Sequence, residues 1–557
     1  MPIRSSRVRR ETRPPEERSG SSSRADRRDR TPPRSSRVHR ETHASRSTEW
    51  EQLASSPLRP HPAPFVSSAS RGQASRRAEW EQRASRPLRP HLARSSRVHR
   101  ETRPRETTPT SPFAPASTEC RRPFPLPSLT SEVTDTLVRR EAAPGVTEHP
   151  TTPSAVDSHA LALYVHIPFC TAKCGYCDFN SYEGLEHLVP EYTPALRREA
   201  ALWAPAARDF HVRSVFFGGG TPSLTSLDDL AAIIATLREQ YEFDADAEWT
   251  LEANPTELTR EHLAGMRALG INRLSMGVQS MHDDELTLLE RLHSPERVVA
   301  AVADARAAGF DNMNLDLIFG LIGQPLERWQ ETLERVIAFE PEHLSCYALT
   351  VEPGTSLFYR VQKGLLAEPD PDVAADQYEW TRVRLAEAGY AQYEISNWSK
   401  PGRACRHNLT YWRAEPYLGL GAGAHSFFIG RRFANIDAPN RYVEAVNEAF
   451  EARAASGTTA MRQIAGGEVP DRDTLLADAM ILGLRLIDGI DIAGFRAQWD
   501  CDPRTTFADA LARHERIGLI ASDDRHIRLT DRGLLLANEV FVDLLPEPVA
   551  DPVPTPD

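Results

Sequence analysis

Cys170, Cys174 and Cys177 stand together in the run CTAKCGYC, a C-x3-C-x2-C spacing. Three thiolates so close in one loop can hold a [4Fe-4S] cluster and leave one iron without a protein ligand, open to a substrate or cofactor. A structural zinc site would instead call for a fourth Cys or His beside a second pair. His166, the nearest imidazole, falls inside the preceding strand-like run ALYVHIPF. The other cysteines, Cys120, Cys346, Cys405 and Cys501, are scattered, and the odd total of 7 argues against a disulfide framework.

A second candidate lies about forty residues on, where Gly218-Gly219-Gly220-Thr221-Pro222 closes an apolar run. Glycines let backbone N–H groups approach a ligand with no Cβ in the way. The same residues also make a tight turn, and the spacing is not that of a dinucleotide fingerprint. Glu252 in LEANP, Gln279 in GVQS and Asp316 in NLDLIFG close three further apolar runs. Each alone suits a cap or a satisfied core group. On successive strand ends they share the rim where barrel active sites lie.

The elements that must position these residues begin at about Ala160. Strand-like runs ALYVHIPF, SVFFGGG, AEWTLEANP, NRLSMGVQS, NMNLDLIFGL and LSCYALTVEPG alternate with amphipathic stretches such as LDDLAAIIATLREQY, TREHLAGMRALG, SPERVVAAVADARAAG and PLERWQETLERVIAFEP. Apolar residues recur there at three- and four-residue spacing, as helices around a parallel sheet require. The count predicts an α/β chain with a partial (β/α)6 barrel over residues 158–380. A smaller, mainly helical C-terminal domain is expected over 381–545. It opens irregularly, through YEISNW, CRHNLTYW and YLGLGAGAHS, and ends like a winged helix with a hairpin of GLIAS and HIRLT around DDR.

Residues 1–157 read differently. RSSRVRRET at Arg4 returns as RSSRVHRET at Arg34 and Arg94, and EWEQLASSPLRPH at Glu49 returns as EWEQRASRPLRPH at Glu79, a period of 30. Stacking these Arg/Ser/Pro-rich units would bury almost nothing, so a disordered extension is expected, as is a disordered tail at 546–557. Residues 1–150 hold 30 Arg against 17 acidic residues, while the remainder holds 36 basic against 61 acidic ones. A body this acidic is a poor match to a polyanion, so no nucleic-acid partner is expected. The sequence shows neither a run of about 18 apolar residues nor a signal-peptide stretch, which predicts a cytoplasmic protein.

With aromatic Tyr176 before its last cysteine, the CTAKCGYC run resembles the signature of radical S-adenosylmethionine proteins. The resemblance implies that S-adenosylmethionine chelates the open iron and is cleaved at its sulfonium by one-electron transfer from the reduced cluster. It also implies that Gly219, Gly220 and Thr221 lie against the methionine part, and that Tyr164 and Tyr176 bracket the nucleoside. Glu252, Gln279, Arg291 and Asp316 would bind the same cofactor.

The words YVHIPFC, FFGGGTPS, NRLSMGVQS and LDLIFGL are similar to those of the oxygen-independent coproporphyrinogen III oxidase superfamily, across roughly residues 160–545. That superfamily has a decarboxylating oxidase branch and a HemW-type haem chaperone branch. The oxidase has a further Cys two residues after its last cluster Cys; Phe179 stands at that place. His407-Asn408-Leu409-Thr410-Tyr411-Trp412 matches the HNxxYW motif of the HemW branch. The match implies His407 as a haem ligand, an ordinary role for imidazole. On the residues alone, His407 and Asn408 equally suit a polar loop, and Tyr411 and Trp412 a core. His425 in GAGAHS is a second candidate, and Leu321-Ile322-Gly323-Gln324 departs from the common LPGQ. The expectation is a chaperone that binds haem and passes it to an acceptor haem protein at the membrane, with a reductant for its cluster. The alternative is the oxidase, so whether the chain is an enzyme stays open.

Overall fold

The computed structural model describes Asp157 and residues 159–546 apart from 458–459; the repeat region and the tail after residue 546 lie outside the described residues. Six parallel strands run side by side: β1 (Ala160–Ile167), β2 (His211–Gly219), β3 (Glu242–Ala253), β4 (Arg273–Gln279), β5 (Met313–Phe319) and β6 (His343–Ala348). Helices connect them: α1 (Val189–Trp203), α2 (Leu227–Gln240), α3 (Arg260–Leu269), α4 (Pro295–Ala307) and α5 (Leu326–Ile337). Their starts are written locally. Ser226, Thr259 and Ser294 are N-caps whose hydroxyls accept from Asp229 N, His262 N and Arg297 N, satisfying donors that the helix itself leaves open. Gly270 at φ +102° ends α3 in the left-handed conformation.

Strand alternation divides the side chains into two sets. Leu161, Leu163 and Val165 on β1, and Val215 and Phe217 on β2, are at most 1% exposed and join the core beneath the helices. Tyr164, His166, Phe216 and Gly218 are the alternate positions and face the barrel interior. The Leu321–Gln324 segment makes a tight turn in which Gln324 N donates to Leu321 O at 3.0 Å and Gly323 takes φ +75°. A Gln324 amide hydrogen bond to Glu285 at 3.1 Å anchors it.

The irregular, Gly- and aromatic-rich stretch holds more strand than its sequence suggests. It supplies β7 (Ala391–Glu394), β8 (Asn397–Ser399), β9 (Tyr417–Leu420), β10 (His425–Phe428), β11 (Arg431–Asn435) and β12 (Ile464–Glu468). Runs of three to five residues are too short to show a period of two, which is why they read as loop. They extend the barrel sheet at both edges, in the order β12-β11-β10-β9-β1-β2-β3-β4-β5-β6-β8-β7, so neither edge of the open barrel is left bare. Helix α6 (Pro371–Glu387) precedes them, and α7 (Arg406–Trp412) lies between β8 and β9. Beyond residue 471 the chain is mostly helical. A small sheet of Ile490–Asp491, His526–Leu529 and Ile520–Ser522 carries the expected hairpin.

Candidate functional site

Past β1 the chain enters Phe169–Cys170, which pairs in parallel with Tyr182–Glu183 and so closes the loop bearing Cys174 and Cys177. Two side chains hold that loop in shape. Lys173 Nζ donates to Phe179 O at 3.0 Å and Ser181 O at 3.1 Å. Asn180 Nδ2 donates to Ala422 O at 3.1 Å and Asp437 O at 3.0 Å, tying the loop to a segment far along the chain. All three thiols are free; Cys170 is buried, Cys174 and Cys177 half-buried. Thr221 Oγ1 donates to Cys170 Sγ at 3.5 Å and Arg291 Nη1 to Cys174 Sγ at 3.4 Å. Burial pushes the Cys170 and Cys177 thiols up, while Thr221, Ser181 and Lys173 pull them back toward the thiolate that a metal needs.

The glycine run turns back on this loop. Gly220 N donates to Ile167 O and Thr221 N to Phe169 O, both at 2.8 Å. Gly219, at φ +114°, donates its N–H to Glu252 Oε2 at 3.1 Å. A Cβ on Gly218 would come within 3.0 Å of the Tyr164 and Phe216 rings and 3.2 Å of Glu252 Oε2, so the absence of a side chain there lets these three close together over the strand end. Burial, and then the nearby Asp316 carboxylate, push Glu252 up to about 8. Asp316, also raised chiefly by burial, accepts from Ser275 Oγ at 3.1 Å and Asn314 Nδ2 at 2.8 Å.

Arg291 joins the rim to the cluster loop, because it also donates to Gly277 O at 2.8 Å. Its Nε is buried with no hydrogen-bond partner among the described residues. Gln279 takes φ +66°, and a Cβ on Gly277 would lie 2.9 Å from its Nε2 and 3.2 Å from Arg291 Nη2, so both side chains converge over Gly277. Tyr176 packs against Leu289, Ile318 and Leu321, with its phenol pushed up by burial. The donor set fits an iron–sulfur cluster: three free thiols in one closed loop, hydrogen-bond donors on two of them, and an orphaned guanidinium nitrogen beside them. Next to it, Tyr164 and Glu252 bring an aromatic ring and a carboxylate together at Gly218, groups whose chemistry suits a polar cofactor.

His407 does not join this rim. It sits on α7 at the opposite end of the strands, 1% exposed, with Nδ1 3.0 Å from Ser214 Oγ and Nε2 2.9 Å from Tyr411 Oη. Burial, then the charge of Arg273, push the imidazole down to about 3. Its ring lies 5.1 Å from Phe216 and 6.4 Å from Tyr164. Buried Glu248 of β3 accepts from Cys405 Sγ at 3.4 Å, Arg406 N at 3.2 Å and His407 N at 3.3 Å, and so caps the helix that plugs the barrel floor. In this conformation both imidazole nitrogens are engaged and no face of the ring is open to a ligand. His425 lies half-buried at the start of β10, between β9 and β11 and near enough to His166 of β1 to help push that imidazole down. Asn180 and Glu248 had no sequence signal, since their partners lie more than 150 residues away.

Residues 164–336 match the model of the radical SAM superfamily, and residues 471–536 that of the HemN C-terminal domain. A Mycobacterium tuberculosis protein named heme chaperone HemW is 38% identical over 388 residues, covering 69% of this chain and 95% of its own length. The chain belongs to the HemW-type radical S-adenosylmethionine family. The Bacillus subtilis heme chaperone HemW is 36% identical over 382 residues, 68% of this chain and 98% of that one. A mouse protein named radical S-adenosyl methionine domain-containing protein 1, mitochondrial, is 36% identical over 421 residues, 72% of this chain and 90% of its own. Among solved structures, the Escherichia coli coproporphyrinogen III oxidase HemN, titled a radical SAM enzyme, has 27% identity and a TM-score of 0.59, over 70% of this chain and 91% of that one. The α/β radical SAM fold with a helical C-terminal region is thus common to this HemW-type chain and HemN.

Proposed function

We propose that this chain is a haem chaperone: it binds haem and passes it to an acceptor haem protein, with a [4Fe-4S] cluster and S-adenosylmethionine bound in the barrel. The observation that carries the reading is Phe179. The oxidase branch has a further cysteine there; here an aromatic ring stands 60% exposed beside the cluster loop, in a chain with relatives, matched over nearly their whole length, that are named heme chaperones. When bound, the cluster and S-adenosylmethionine supply one-electron chemistry at the sulfonium. The protein's own residues do the rest. Cys170, Cys174 and Cys177 hold iron; Gly219, Gly220 and Thr221, their N–H groups bonded within the protein, form the turn beside the cofactor; Tyr164 and Tyr176 flank it. Glu252, Gln279, Arg291 and Asp316 offer acceptors and donors to its polar ends.

Haem ligation by His407 requires the imidazole to give up Ser214 and Tyr411, so it comes with a movement of α7. His425, half-buried on β10, is the second candidate. Residues 158–380 act as the cofactor barrel, and 381–545 carry both haem candidates and the face offered to the acceptor, which we place at a membrane. No described helix is long and apolar enough to cross one. The likeness to HemN favours the oxidase as the second reading, with a porphyrinogen propionate as substrate. Anaerobic hemin titration of the cluster-loaded protein tests the proposal. Saturable binding weakened by His407→Ala or His425→Ala is expected; no binding overturns it.

A further inference from the structure

The barrel interior beside Asp316 is polar, and the strand register shows how it is ordered. Asn314 of β5 stands opposite Ser275 of β4 and His343 of β6; Asp316 stands opposite Gly277 and Ser345. Asn314, His343, Ser345 and Ser275 are at most 5% exposed. Because Asp316 accepts from Asn314 Nδ2, the Asn314 amide has one orientation. Nδ2 also donates to Ser275 Oγ at 2.8 Å, which leaves Oδ1 to accept from His343 Nδ1 at 2.7 Å and Ser345 Oγ at 3.0 Å. His343 therefore carries its proton on Nδ1, and its Nε2 accepts from Tyr393 Oη at 2.8 Å. The chain runs Tyr393–His343–Asn314–Asp316, with Ser275 bridging Asn314 to the second carboxylate oxygen at 3.1 Å. An amide cannot relay protons, so this chain transmits orientation only. On the β4 side Asp316 faces Gly277, over which the Gln279 and Arg291 side chains converge.

We propose that Asn314, fixed by His343 and Tyr393, is the positioning residue for Asp316. It turns both carboxylate oxygens into a preset acceptor for a hydroxyl or ammonium donor of S-adenosylmethionine. This inference rests on the reading of Asp316 as a cofactor residue. A side chain locked by its neighbours spares a ligand the cost of ordering it, which is what preorganisation contributes to affinity.

Tyr393→Phe is the informative variant, because it keeps the edge-on ring contact with His343, centroids 5.5 Å apart, and removes only the hydroxyl. S-adenosylmethionine affinity is read by anaerobic equilibrium dialysis on the cluster-loaded chain, and the His343 tautomer by 15N NMR on the same protein. The wild type shows a neutral Nδ1–H imidazole. Tyr393→Phe loses that single tautomer and binds about fivefold more weakly, the size of one buried hydrogen bond. Asn314→Asp, which sets a second carboxylate beside the first, loses more, while thermal unfolding reports whether each variant is folded. If Asp316→Asn leaves affinity unchanged, the cofactor assignment of Asp316 itself fails. If Asp316→Asn weakens binding but Tyr393→Phe and Asn314→Asp do not, or if wild-type His343 is the Nε2–H tautomer, the positioning role is overturned.

Discussion

At the scale of single residues, the site depends on which charge states the barrel mouth imposes. Glu252, held at about 8, is mostly neutral at pH 7 and ionises as pH rises through that value. A carboxylate accepts from an ammonium better than a carboxylic acid does. S-adenosylmethionine affinity should therefore rise between pH 7 and pH 9, and Glu252→Gln should flatten that rise and weaken binding about tenfold at the upper end; dialysis across the range checks both. Replacing any one of Cys170, Cys174 or Cys177 with Ser should leave reconstituted protein with little bound iron, measured by iron content and visible absorption. The cysteines were legible because their spacing is itself the chemistry. The residues that shape their loop were not: Asn180 reads as an ordinary loop asparagine until the fold brings Ala422 and Asp437 to it.

At the scale of elements, two buried carboxylates join segments distant in sequence. Glu248 caps α7, and Glu248→Ala, which strands two backbone donors and a thiol, should cost about 2–3 kcal/mol in chemical denaturation. Glu199 on α1 accepts from Gly421 N at 2.8 Å, Asn435 Nδ2 at 2.7 Å and Tyr442 Oη at 2.5 Å, and so fastens the β9–β10 turn to the barrel. Burial without a cation lifts it to about 7. A folded value above the unfolded one means that the stabilising contribution is full below about pH 4.5 and is lost as pH rises through about 7. The wild type should therefore be measurably more stable to urea at pH 5 than at pH 8, by up to about 3 kcal/mol, and Glu199→Gln should remove most of the difference. Helices α2–α5 and the six barrel strands were legible because each is long enough to show its period. β7–β12 were not, since strands this short are defined by the edges they pair with.

At the scale of the whole molecule, the described fold starts at Asp157, which pairs with His211 at 2.8 Å and Arg213 at 3.2 Å. A chain beginning at residue 151 should accept iron and S-adenosylmethionine as the full chain does, and reconstitution of the two side by side checks it. The order of alternating runs, with a cysteine loop after the first and a glycine turn after the second, gave away the barrel and its mouth. The floor stayed hidden: HNLTYW reads equally as a ligand motif or a core plug, and the structure has it closed, with His407 bonded at both nitrogens. The account turns on haem. Hemin titration and coproporphyrinogen turnover, run anaerobically on one cluster-loaded sample, test it most directly. Stoichiometric haem binding with no porphyrinogen converted is the predicted result. Turnover to protoporphyrinogen, or hemin that fails to bind, would contradict it.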